Sequence, residues 1–369
     1  MNKKINSDSI ILADVKQPLK DYVSVRNSSF ELLRWISASL IVLLHMKGHG
    51  NIPNNWLFVN LQVFSVLPVM MFMFLTGFFL ANAQKTRFLY IISTIIVYYL
   101  LNLIIGYLII NFGDLNNRYS KIKLFLGGRD WWYLWTLPLI YLLSPLINIA
   151  LKTINHWYSL ILIITIFIFF TSFSHLEYNI FGSGQFLFLI LIYCFGVWYR
   201  LYINHEAFSK IILIGAIIFL LVLQIINNLL FGLKNISLPI DTTNFYVLTA
   251  TLAVFIIFQN IKIKPNRFLN FLGKLSLPIY LFHYLFEFLV IKFIMHHMNI
   301  NNDLNPSLFL LVSWTIALTL TFIFGAITLY PCFFLIKNLN KFFSFLQHKI
   351  QKINYKKLLL KISLKNKIK

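Results

Sequence analysis

Apolar residues run in long stretches along this chain, and polar residues collect in short gaps between them. A membrane-spanning helix needs about 20 largely apolar residues. Ten stretches approach that length, near 30–47, 57–81, 88–112, 132–151, 157–174, 185–203, 208–231, 243–260, 275–298 and 307–336. The eighth is short and the tenth is long. Pro68 in the second, and Pro138 and Pro145 in the fourth, predict kinks, because proline removes a backbone donor. The pattern predicts an all-α polytopic membrane protein with about ten transmembrane helices. Its parts are a cytoplasmic N-terminal segment (1–29), a membrane domain (30–336) and a basic cytoplasmic tail (337–369). No signal-peptide pattern is visible, and no remaining stretch is long enough for a soluble domain of ordinary size.

Composition agrees. Hydrophobic residues make up 59% and charged residues 12%, against roughly 25% charged in soluble domains. The net charge of +21 would suit nucleic acid, but its placement argues against that. With the amino end inside, the inner segments hold Lys3, Lys4, Lys16, Lys20, Arg26, Lys85, Arg87, Lys152, Arg200, Lys210, Lys262, Lys264, Arg267, Lys274 and ten tail lysines. The outer loops hold only Lys47, Arg118, Lys121, Lys123, Arg129 and Lys234. This asymmetry places both ends in the cytoplasm of a multi-pass cell-membrane protein. The tail alternates lysine with Phe, Leu and Ile, which predicts a basic amphipathic helix lying on the inner leaflet. Cys194 and Cys332 belong to no metal or redox motif. The histidines lack a third ligand at helical spacing, so no metal is expected.

Charges inside a membrane are costly and therefore informative. The first span carries Glu31, Arg34 and His45. Arg34 and His45 are eleven residues apart, about three turns plus 20°, so they share a face about 16 Å apart along the axis. Glu31 sits three residues before Arg34 and roughly shares that face. A second cluster in the ninth span holds Tyr280, His283 and Glu287 at one-turn intervals. A carboxylate one turn away can fix a histidine tautomer. The loop 113–131 is the basic exception outside: either an ordinary solvated loop ending in interfacial tryptophans, or an outward-facing site for an anionic or sugar substrate, which Arg129, Asp130, Trp131 and the adjoining Trp132 would meet through charge and stacking.

These residues carry a resemblance. Glu31…Arg34…His45 resembles the Arg-x10-His opening of the acyltransferase family 3 membrane proteins. Phe74-Leu75-Thr76-Gly77-Phe78-Phe79-Leu80 is similar to that family's Leu-Ser-Gly-Phe-Phe-Leu segment, with Thr for Ser. Trp132-Tyr133-Leu134-Trp135-Thr136-Leu137, followed by Tyr141 and Pro145, resembles its Trp-Phe-Leu…Tyr…Pro helix. Gly273-Lys274-Leu275-Ser276 through His283 is similar to its Gly-Lys-Ile-Ser-Tyr…His segment. The four occur in family order. Two departures stand out: Lys85 and Arg87 replace an Arg-x-x-Arg pair, and a short basic tail replaces the extracellular hydrolase-like domain of many members.

The resemblance implies a membrane-bound O-acyltransferase. Its donor would be cytoplasmic acyl-coenzyme A, acetyl-coenzyme A first. Its acceptor would be a hydroxyl of a cell-surface or lipid-linked glycan, with glycan-assembly proteins as possible partners. His45 is the expected general base, with His283, oriented by Glu287, as a second base or acid. Arg34, Lys85 and Arg87 are the expected phosphate contacts, ahead of Lys264, Arg267 and Lys274. The main rival is a transporter or flippase of lipid-linked saccharides using the same buried charges, and the missing internal repeat argues against it. A glycan polymerase or ligase is expected to carry a larger outside loop, and a scaffold without chemistry is the remaining alternative.

Overall fold

The structure is a computed structural model and describes residues 27–49, 56–83, 88–112, 132–173, 184–203, 210–234, 245–297 and 306–367. Every regular element among these is a helix: α1 (Ser28–His49), α2 (Trp56–Ser65), α3 (Pro68–Leu80), α4 (Phe88–Phe112), α5 (Trp132–Thr153), α6 (His156–Phe173), α7 (Gly184–Tyr202), α8 (Lys210–Lys234), α9 (Phe245–Asn260), α10 (Arg267–His297) and α11 (Pro306–Lys367).

Prolines and caps explain where the boundaries depart from the hydropathy pattern. The second apolar stretch is two helices. Pro68 stands at the start of α3, where its missing N–H costs nothing, and a turn at Val66–Leu67 separates the two. Pro138 and Pro145 instead lie inside an unbroken α5. Pro145 leaves the Tyr141 carbonyl without its backbone donor, and the Ser144 hydroxyl donates to it at 2.8 Å. α10 starts at Arg267, eight residues before the apolar stretch that begins at 275. Its cap is Asn266, whose side-chain oxygen accepts from the N–H groups of Phe268 (2.8 Å) and Leu269 (3.1 Å). The basic tail is helical, but there is no break at 336. α11 runs on to Lys367 because no glycine or proline follows Pro331 to stop it.

Among the described residues, six helices hold windows long and apolar enough to cross a membrane: Ser28–Met46, Phe88–Leu108, Thr136–Thr153, Lys210–Leu233, Arg267–Ile291 and Pro306–Lys349. Four apolar helices are shorter: Pro68–Leu80, His156–Phe169, Phe186–Tyr202 and Tyr246–Asn260. Burial ranks the six. The α1 and α10 windows are 61% and 67% buried, whereas the other four lie between 22% and 33%. α1 and α10 are therefore the central pair, and they pack on each other along their length. α11 packs on both helices of the pair, and α3 packs on α1. α8 is at the rim, with Ile211 78% and Leu233 81% exposed, as a lipid-facing helix should be.

A pair of glycines sets one close helix contact. A Cβ on Gly77 would overlap the Tyr193 carbonyl, and one on Gly196 would overlap the Phe74 carbonyl. The pair lets α3 and α7 touch backbone to backbone, the small-residue contact that lipid-embedded helices use. Asn148 of α5 then ties the bundle. It donates to the Leu80 carbonyl at the end of α3 (2.7 Å) and accepts from the Tyr193 hydroxyl of α7 (3.0 Å).

Candidate active site

The central pair carries both clusters of ionisable residues. On α1, the Arg34 guanidinium donates to the Glu31 carboxylate at 2.7 Å. The two side chains are 27% and 5% exposed, so the carboxylate is sealed in and the cation keeps an open side. Glu31 owes its place to Gly273 of α10. A Cβ there would overlap the Glu31 carboxylate and come within 2.7 Å of Glu31 Cβ. The glycine is thus the seat on which the ion pair rests. Arg34 also lies over the Phe79 ring at 5.0 Å, which holds the guanidinium from a second direction.

The open side of Arg34 faces a cavity of about 490 Å³ among α1, α3, α4, α5, α10 and α11. That volume is in the usual range for small-molecule sites. Its wall is mixed in character. Six tyrosines (Tyr90, Tyr98, Tyr133, Tyr141, Tyr280 and Tyr330) are set among Phe72, Leu137, Leu277 and Phe333. Lys274, Ser276, Thr76 and Thr94 add further polar groups.

Tyr280 connects this cavity to the second cluster. Its ring meets Tyr133 at 5.5 Å on one side and His283 at 5.8 Å on the other. His283 in turn lies 4.9 Å from His45, ring centre to ring centre. The two imidazoles, which the sequence places 238 positions apart in numbering (283 minus 45), are therefore neighbours across the α1–α10 contact. His283 is fully buried and His45 half-buried. His283 Nδ1 lies 2.5 Å from the Tyr280 carbonyl oxygen. A carbonyl can only accept, so Nδ1 carries a proton, and in the neutral imidazole Nε2 keeps its lone pair. The Tyr280 backbone carbonyl is thus a tautomer-setting partner that the helical spacing did not suggest. Glu287 is fully buried one turn further along α10.

The structure thus gathers Glu31, Arg34, His45, His283 and Glu287 on the two central helices. Lys85, Arg87, Arg129, Asp130 and Trp131 lie outside the described residues, and Trp132 is described only as the first residue of α5. Of the secondary cation candidates, Lys274 lines the cavity, whereas Lys264 and Arg267 do not. Among the described residues no cluster of three or more His, Cys, Asp or Glu side chains could hold a metal ion. The tyrosine lining was not anticipated as a set. Tyr280 and Ser276 share helical spacing with His283, but Tyr90, Tyr98 and Tyr330 come from helices whose neighbours no local pattern reveals.

A family model described as an acyltransferase domain matches residues 27–336. The chain belongs to acyltransferase family 3. No curated protein and no solved structure matches it. The matched span begins just before Ser28 at the start of α1, and it ends at Ile336, the last residue in sequence to line the cavity. Every residue of this acyltransferase named in the site so far lies inside that span, and the basic tail lies beyond it. The family assignment and the several long apolar helices together identify a membrane-embedded acyltransferase.

Proposed function

We propose that this acyltransferase moves an acyl group, acetyl first, from cytoplasmic acyl-coenzyme A to a hydroxyl of a cell-surface or lipid-linked glycan. Its domain crosses the cell membrane about ten times, six long apolar helices and four shorter ones supplying the spans, with both ends in the cytoplasm as the lysine and arginine asymmetry favours. The observation that carries the reading is a half-open guanidinium on a tyrosine-lined cavity whose Tyr280 ring packs against His283, with His45 beside it; the imidazoles lie behind Tyr280 and do not line the cavity. A cation at one end suits the phosphates of a polyanionic donor. The partly apolar, tyrosine-lined wall of the cavity suits the pantetheine arm. Imidazoles at the far end suit proton transfer.

In this reading Arg34 binds donor phosphate with the donors that Glu31 leaves it, and Lys85, Arg87 and Lys274 add charge at the inner mouth. The arm lies along the tyrosines and delivers the thioester to His45 and His283. His45 takes the proton of the acceptor hydroxyl as its oxygen bonds to the thioester carbonyl carbon. The tetrahedral centre then collapses, the carbon–sulfur bond breaks, and the imidazolium returns the proton to the departing thiolate. The products are the ester and coenzyme A. His283, with Nε2 unprotonated, can relay that proton or polarise His45. Arg129, Asp130, Trp131 and Trp132 would meet the acceptor on the outer side.

The test uses purified protein in nanodiscs with labelled acetyl-coenzyme A, and the acyl content of surface glycan in cells. Wild type should bind and consume the donor. His45→Ala should still bind but fall at least about a hundredfold in turnover, the scale of general acid–base catalysis. Arg34→Ala should bind poorly. Normal glycan acylation by either variant, correctly folded, would end the proposal.

A further inference from the structure

Hydroxyl side chains inside apolar helices have a standard resting place, the carbonyl three or four residues back. This chain follows the habit. Thr76 donates to the Phe72 carbonyl (2.7 Å), Ser93 to Leu89 (2.8 Å), Thr94 to Tyr90 (2.8 Å) and Thr251 to Val247 (2.7 Å). Ser276 does not. It is 4% exposed, and its Oγ has no hydrogen-bond partner among the described residues. Such a buried donor is uncommon, because leaving it unmade costs about as much as a hydrogen bond contributes. Ser313 of α11 shares the missing partner but does not line the cavity; Ser276 does. The two cavity threonines, Thr76 and Thr94, have already committed their hydroxyls to their own helices.

Position gives the hydroxyl its meaning. Ser276, Tyr280, His283 and Glu287 recur at intervals of four, three and four residues, so they form one stripe along α10. Ser276 precedes His283 by seven residues, about 10 Å along the axis. That is roughly the length of three extended peptide units. The arm of coenzyme A is itself a chain of amide-linked units ending in the thioester. With the thioester at the imidazoles, an amide carbonyl lies a few units back, at the level of Ser276 on the Arg34 side.

We propose that Ser276 is a donor-binding residue whose hydroxyl donates to an amide carbonyl of the pantetheine arm. This rests on the reading of the cavity as an acyl-coenzyme A site, and the test separates the two. The full-length protein in nanodiscs is titrated with acetyl-coenzyme A and, separately, with adenosine 3′,5′-bisphosphate, which keeps the adenosine and two of the three phosphates but lacks the arm. Ser276→Ala should raise the Kd for acetyl-coenzyme A about two- to tenfold, the value of one neutral hydrogen bond. The Kd for the bisphosphate should not move. Ser276→Thr, which keeps the hydroxyl, should bind like wild type. The ligand-free Tm of Ser276→Ala should equal or exceed that of wild type, since no protein contact is lost. Unchanged acetyl-coenzyme A affinity in Ser276→Ala, equal loss for both ligands, a threonine variant as weak as the alanine one, or a lowered ligand-free Tm would each overturn the assignment. Wild-type protein that binds neither ligand would overturn the donor site as well.

Discussion

Gly273→Ala is the substitution that bears hardest on the α1–α10 contact. The added Cβ would overlap the end of the Glu31 carboxylate, which alone could swing away. It would also stand 2.7 Å from Glu31 Cβ and 2.9 Å from Cδ. Cβ is fixed to the α1 backbone and cannot rotate out of reach. Carbon atoms rest about 3.5–4.0 Å apart, so the two central helices must separate by about 1 Å or bend. Overpacking of this kind costs about 1–3 kcal/mol. The larger effect falls on function, since a displacement of about 1 Å in a positioned group can lower turnover about a hundredfold. Arg34 is held by Glu31 and would move with it. Steady-state turnover of acetyl-coenzyme A by the purified variant, with its Tm, measures both effects. The expected result is kcat/KM lowered about ten- to a hundredfold and a Tm below that of wild type. Gly215→Ala and Gly232→Ala on α8 are the controls, because a Cβ at either meets nothing within 4 Å. They should be neutral or slightly stabilising. Wild-type turnover in Gly273→Ala would refute the reasoning.

Gly77→Ala and Gly196→Ala should each lower the Tm, since a Cβ at either position would run into the backbone of the facing helix; an unchanged Tm in detergent would mean that α3 and α7 do not approach so closely. Arg34→Lys should raise the donor KM about tenfold, because an ammonium cannot bond Glu31 and a phosphate through one rigid fork. A wild-type KM would remove Arg34 from the donor site.

Much of this was legible in the sequence, for reasons that particular residues make clear. Apolar length located the helices because lipid demands it, and the shared face of Glu31, Arg34 and His45 follows from helical geometry alone. The Gly-Lys segment at 273 could be seen but not explained, because its partner, Glu31, is a residue of another helix. The His45–His283 contact is likewise a tertiary fact, arising from the packing of α1 on α10. The early start of α10 escaped hydropathy because Arg267, Asn270 and Lys274 break up its apolar run, and Asn266 capping is a local hydrogen-bond signal instead. The break at Val66–Leu67 was expected only as a kink, since proline marks either a bend or a new start and the choice depends on packing.

The account stands on the donor lying between Arg34 and the two imidazoles, and a density map of the nanodisc-embedded protein with coenzyme A bound tests that most directly. The phosphates should lie against Arg34, with the pantetheine arm passing Ser276 and Tyr280 and the sulfur ending beside His45 and His283. Coenzyme A seated elsewhere, with the tyrosine-lined cavity empty, would contradict it.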